Sequence, residues 1–187
     1  MKLKKFFIFL VLAGMFLPHS LSGIEDEYYR KAALFKVFSQ YIQWPEHSNL
    51  KDRSKPFVIG VVGENPFGSI LDKAYSQLEY KIKDKNVEIR FIKKIGEAEI
   101  QDCNILFLSK ALDMELEKIL AVTRKKPILT IAEAKGFTEK GVLFNLYECK
   151  DRFCFEINAL ALQESRLIVD SQVLSSARII DAQGTLK

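Results

Sequence analysis

Histidine is almost missing from this chain. There are two in 187 residues, His19 and His47, and three cysteines, Cys103, Cys149 and Cys154. No two cysteines have the short spacing of a zinc finger, so no metal site is expected. A nucleophile–histidine–acid triad would have to use His47, in the polar stretch "PEHSNLKDRSKP", where no partner motif accompanies it. Ser48-Asn49-Leu50-Lys51 spells Ser-x-x-Lys, but that signature needs its serine at a helix start and further motifs that are absent. These residues spell no catalytic constellation, which leaves an exported hydrolase the least supported reading, and no cofactor is expected.

Charge of one sign is also lacking. The chain has 28 Lys+Arg against 24 Asp+Glu, and Lys2, Lys4 and Lys5 account for most of the difference. Without those three the balance is 25 against 24, a net +1. That leaves no clustered basic face for a nucleic acid. Lys81, Lys83 and Lys85 read as a solvated strand edge or turn, where lysines discourage edge pairing.

Long apolar runs are lacking too, with one exception. "MKLKKFFIFLVLAGMFLPHSLSG" has a basic start, an apolar run from Phe6 to Leu17, then small residues. The run is shorter than the ~20 apolar residues that a membrane-spanning helix needs. Its three zones are those of a secretory signal, with cleavage near Ser22 or Gly23. The competing reading is an uncleaved anchor, which the short apolar run and Ser20-Leu21-Ser22 disfavour. Residues 1–23 are thus expected to be a signal peptide and residues 24–187 a single exported domain, with no stable membrane insertion after cleavage. No repeat or Pro/Gly-rich linker divides those 164 residues, a size able to bury roughly two-thirds of the unfolded surface.

What is present is an alternation of element types. "EDEYYRKAALFKVFSQYI", residues 25–42, sets Tyr28, Ala32, Phe35, Phe38 and Ile42 three or four apart, a helical spacing. Trp44-Pro45 stops it, because the residue before proline avoids the α region. "FVIGVV", "CNILFL" and "PILTIA" are continuous apolar runs, while "VEIRFI" alternates. "SILDKAYSQL" and "ALDMELEKILAVTR" read as helices between them. Apolar strands spaced by helices predict an α/β fold, with a mostly parallel central sheet and helices on both faces. "VLFNLYE" and "RFCFEIN", joined at Cys149-Lys150-Asp151, predict an antiparallel C-terminal hairpin. In the second run Phe153, Phe155 and Ile157 share one face, and Arg152, Cys154, Glu156 and Asn158 the other. "ALALQESR" and "SQVLSSARII" then read as two short helices, with Ser171 capping the second.

"GVVGENPFGSIL", residues 60–71, stands between a strand and a helix, where open α/β sheets bind ligands. It is nevertheless a poor phosphate loop. Ser69 occupies the lysine position, Pro66 removes an amide donor, and Glu64 puts negative charge where an anion would lie. The turn reading is simpler: Gly63 and Gly68 supply positive φ and Phe67 plugs the end of the sheet. Glu156 and Asn158 could bind a ligand, or anchor neighbouring backbone and pack against an arginine such as Arg178. Trp44 is either an interface anchor or a core plug.

Several of these stretches together resemble the YfiR family of periplasmic regulators. They are "KAALFKVFSQYIQWP", "FVIGVVGENPFGSIL", "CNILFLS", "PILTIAEAKGFTEKGVLFNL" and "FCFEINALALQESRLIVDSQVLSSARII", in the family's order over residues 29 to 180. The resemblance implies a non-catalytic homodimer. It further implies a partner: the periplasmic sensory region of an inner-membrane signalling protein, a diguanylate cyclase or a sensor kinase, held inactive by binding. The alternative is a periplasmic small-ligand sensor using the cleft beyond Gly63 and Phe67. The low-specificity candidates for partner or ligand contact are Trp44, Gly63, Phe67, Glu156, Asn158 and Arg178. Cysteine redox state matters in the family. Here Cys149 and Cys154 flank the hairpin turn and are expected to pair. A loop of Lys150–Phe153 sets them directly opposite; a two-residue turn at Lys150-Asp151 sets them diagonal and asks the strands to shift. Cys103, at the start of an apolar strand, is expected to stay a thiol.

Overall fold

The computed structural model describes residues 24–46, 48–149 and 152–181. The signal-peptide expectation for residues 1–23, and His47, lie outside them. The chain opens with helix α1, Ile24–Tyr41. Its inner stripe (Tyr28, Ala32, Phe35, Phe38) is buried, as the spacing predicts. A two-residue strand β1, Ile42–Gln43, follows directly, and the surface loop after it contains one 3-10 turn, Asn49–Lys51.

Strand β2, Phe57–Val62, is buried at every position. It is the pivot of a seven-stranded sheet with β3 (Val87–Ile92), β4 (Ile105–Leu108), β5 (Leu129–Ala132), β6 (Phe144–Cys149), β7 (Arg152–Asn158) and β9 (Arg178–Ile180). The order is β3-β2-β4-β5-β6-β7-β9. Pairing is parallel from β3 through β6, antiparallel between β6 and β7, and parallel again between β7 and β9. The mostly parallel sheet and the hairpin are therefore as expected.

Alternate residues of the apolar strands feed two cores on opposite faces of the sheet. Phe57, Ile59 and Val61 of β2 meet Phe35 and Phe38 of α1. Val58 and Val62 meet Ile100 of α2 (Glu97–Ile100) and Leu116, Ile119 and Leu120 of α3 (Leu116–Thr123). Burial on both faces is why these strands carry no polar alternation. Strand β3 lies at the sheet edge, where its half-exposed Glu88 and Arg90 pair at 2.8 Å.

Two local expectations are corrected, and one pairing is added. "SQVLSSARII" is not one helix. Helix α5 covers Ser171–Ser176 and then gives way to β9, which adds beside β7 with Glu156 opposite Arg178. The apolar spacing of Val173, Leu174 and Ala177 fits a helix locally, but a free edge at β7 captures the two isoleucines that follow. Asp170, rather than Ser171, caps α5, its carboxylate accepting from the Gln172 amide at 2.8 Å. Finally, α4 (Ala159–Ser165) is followed by β8, Ile168–Val169, which pairs antiparallel with β1 in a separate two-stranded sheet.

Candidate functional site

Helix α1 carries a second apolar stripe, Tyr29, Ala33 and Val37, at i, i+4 and i+8. It faces away from the sheet and forms one wall of a groove of about 740 Å³. The opposite wall is a six-residue π-helix, Asp72–Gln77, in place of the regular helix expected there. Such turns are rare and recur at functional sites. The Tyr75 hydroxyl donates to the Ala32 carbonyl at 2.8 Å and ties this wall to α1. Burial pushes the Tyr75 phenol well above its ordinary pKa, so it stays a neutral donor. Beyond the π-helix Leu78 is 61 % exposed and Tyr80 is 47 % exposed, with Lys36 of α1 lying 4.8 Å over the Tyr80 ring. Gln172, Val173 and Ser176 of α5 close the groove. Exposed aromatic and leucine side chains around an apolar trough are the marks of a docking surface.

A second cleft, of about 530 Å³, is charged. It lies beyond the carboxyl ends of β4 and β5, bounded by Lys110, Glu133 and Lys135, and by Glu27 and Lys31 of α1. Lys31 interrupts the inner apolar stripe of its helix. Its ammonium donates to both Glu27 and Glu133, and the side chains of Lys31 and Glu133 are each 3 % exposed. The Tyr28 hydroxyl donates to the other oxygen of Glu133 at 3.0 Å. Burial first, and the Glu133 charge second, hold the Tyr28 phenol far above its usual range. The same cleft reaches Asn145, which is buried although its Oδ1 has no hydrogen-bond partner among the described residues.

The expected site residues separate. Glu156 and Arg178 line the charged cleft and form an ion pair at 3.2 Å, while Thr138 donates to the second Glu156 oxygen at 3.0 Å. Asn158 donates to the Thr138 carbonyl at 2.7 Å and accepts from the Ala161 amide, so its side chain caps α4. Trp44 packs edge-on against Phe57 at 5.6 Å and contributes to neither cleft. Phe67 is buried and packs on Tyr28, Phe35 and Phe107, with ring centroids 4.9–5.6 Å apart. Gly63 has φ +89°, and a β-carbon there would collide with Ser109 Oγ. Asn65 braces the turn, accepting from the Phe67 amide and donating to the Gly68 carbonyl, both at 3.0 Å.

Cys149 and Cys154 form a disulfide. The register places Cys149 opposite Arg152 and Tyr147 opposite Cys154, so the pair is diagonal across the hairpin. A Cα separation of 5.9 Å bridges this diagonal without displacing the ladder, contrary to the expectation that a two-residue turn would force the strands to shift. Cys103 is a free, buried thiol, pushed up to about 11 by burial. Among the described residues no three His, Cys, Asp or Glu side chains cluster as a metal site, and no helix is long and apolar enough to cross a membrane.

Two features escaped the sequence reading, the groove and the Lys31–Glu133 pair. Both leave a trace: a second apolar stripe on α1, and charged residues set against fully apolar segments.

These features define a mixed α/β domain whose surface offers two unlike clefts, one apolar and one charged. The chain belongs to the YfiR/HmsC-like family, whose model matches residues 28–178. That family is known for periplasmic regulators of cyclic di-GMP signalling. No curated protein of described function matches the chain.

Proposed function

We propose that the protein is a non-catalytic periplasmic regulator. It binds the periplasmic sensory region of an inner-membrane signalling enzyme, a diguanylate cyclase before a sensor kinase, and biases it toward its inactive state. The observation that carries this reading is the apolar groove between α1, the π-helix and α5, whose walls fall within the family match. An apolar helix of the partner laid along Tyr29, Ala33, Val37 and Leu78 would bury side chains that now face water. Inhibition requires tighter binding to the inactive form of the partner than to the active one. A near-complete switch needs a difference of about 5 kcal/mol, within reach of a few buried anchors. Pairing of two copies would let both grooves engage a dimeric partner, adding avidity without new contacts.

The test is genetic and biochemical together. Deletion in the native host should raise cyclic di-GMP, and the wild-type gene should restore it. Ala33→Arg and Leu78→Asp alter exposed groove positions. Both should fold normally, fail to restore the level, and fail to co-purify the membrane enzyme. Full complementation by both variants would remove the groove from the mechanism. An unchanged cyclic di-GMP level and unchanged kinase output on deletion would remove the regulatory reading.

A further inference from the structure

The apolar groove is long and narrow. Its lining runs along α1 from Tyr29 to Tyr41, a rise of about 18 Å, so its volume of about 740 Å³ is spread thinly over that length. Small side chains keep it open from both walls, exposed Ala33 on α1 and half-buried Ala74 on the π-helix. Its floor reaches the buried side chains of Phe38 and Ile70. A compact ligand leaves most of such a trough in water, whereas a single alkyl chain fills it. The charge is one-sided as well. Each wall contributes one lysine, Lys36 from α1 and Lys73 from the π-helix, and no aspartate or glutamate lines the groove. Asp72 and Glu79, the acidic residues nearest to Lys73 in sequence, are outside the lining. Neither lysine has an ion-pair partner among the described residues, and the Tyr80 ring beneath Lys36 leaves its charge without a counter-ion. Lysine stems add apolar wall while their ammonium groups stay at the wet rim.

We propose that the groove binds a single-chain anionic amphiphile, a long-chain fatty acid or an alkyl sulfate. The chain lies along Ala33, Val37 and Ala74, and the head group pairs with Lys36 or Lys73. Burial of the chain supplies the affinity, about fourfold per methylene. The exposed ion pair supplies the choice of head group, about fivefold. A bound chain and a docked partner helix exclude each other, so the amphiphile releases the partner. That last step rests on the regulatory reading above; the binding itself does not.

The experiment is calorimetric titration of the mature, isolated protein with sodium laurate below its micelle-forming concentration. One saturable site is expected. Sodium decanoate, shorter by two methylenes, should bind about tenfold more weakly, and dodecyltrimethylammonium at least about fivefold more weakly. Ala33→Trp fills the trough without changing its charge and should weaken laurate about tenfold or more. Lys36→Gln/Lys73→Gln should weaken it about fivefold, and Lys36→Glu/Lys73→Glu should reverse the preference toward dodecyltrimethylammonium. Circular dichroism checks that each variant folds. Laurate should also release the co-purified membrane enzyme at a concentration where decanoate does not. No saturable laurate binding, equal binding of laurate and dodecyltrimethylammonium, or undiminished laurate binding by Ala33→Trp overturns the site. Attachment to intact phosphatidylglycerol vesicles in preference to free laurate means a membrane surface and overturns it too. Laurate binding without release of the enzyme overturns the coupling alone. If no enzyme co-purifies, the regulatory reading fails while the titration still decides the site.

Discussion

Gly63 and Gly68 stand five residues apart in one turn, yet they answer to different constraints. Gly63 combines positive φ with a β-carbon position taken by Ser109 Oγ, whereas Gly68 has φ +53° and open space around it. Gly68→Ala should therefore cost about 1 kcal/mol, the backbone strain alone. Gly63→Ala adds a collision with a packed strand end and should cost about 2–3 kcal/mol. Urea unfolding of the two variants checks the order; equal losses would contradict it. Lys31 poses the opposite problem, a side chain that must not be removed alone. Lys31→Met leaves Glu133 buried without its cation and should destabilise by about 3–5 kcal/mol. Adding Glu133→Gln keeps an acceptor for the Tyr28 hydroxyl and should recover at least half of that loss, which the same unfolding assay reads out.

Among the elements, the hairpin is held by pairing and by its disulfide together. The bridge spans a sequence separation of five. So short a loop places its stabilisation at about 2 kcal/mol by the chain-entropy argument. The Cys149→Ser/Cys154→Ser double variant should lose that amount in urea unfolding and keep the same fold by circular dichroism, because six residue pairs hold β6 to β7 without it. The elements that were legible in the sequence share one property: their pattern is local. "FVIGVV" and "PILTIA" are apolar throughout because both faces are covered, and α1 shows its spacing within one segment. Arg178-Ile179-Ile180 gave no such signal. Its strand exists because β7 offers an edge, and that edge is a fact about tertiary structure. The charged cleft was illegible for the same reason, since α1, the ends of β4 and β5, and the hairpin supply its residues from across the chain. Of its lining, the sequence marks only Glu156 and Arg178, and their ion pair is one of the two roles that the sequence allows Glu156.

On the scale of the whole molecule, the expected route is export followed by cleavage near Ser22 or Gly23, just ahead of α1 at Ile24. Mass spectrometry of the purified periplasmic protein should return a mature amino terminus within a few residues of that site. An intact Met1 in the membrane fraction would contradict it. The two ends of the described chain also depend on each other. Ile42 of β1 pairs with Val169 of β8, the Tyr41 carbonyl accepts from the Asp170 amide, and Val173 belongs to the same core as α1. The first helix thus lacks part of its seat until the last quarter of the chain arrives. A nascent polypeptide emerging from the ribosome cannot complete this domain early, and on the export route proposed above it would stay threadable while a translocation channel passes it. Maturation would then be completed on the far side, when the trailing residues are released and the opening helix gains the rest of its seat.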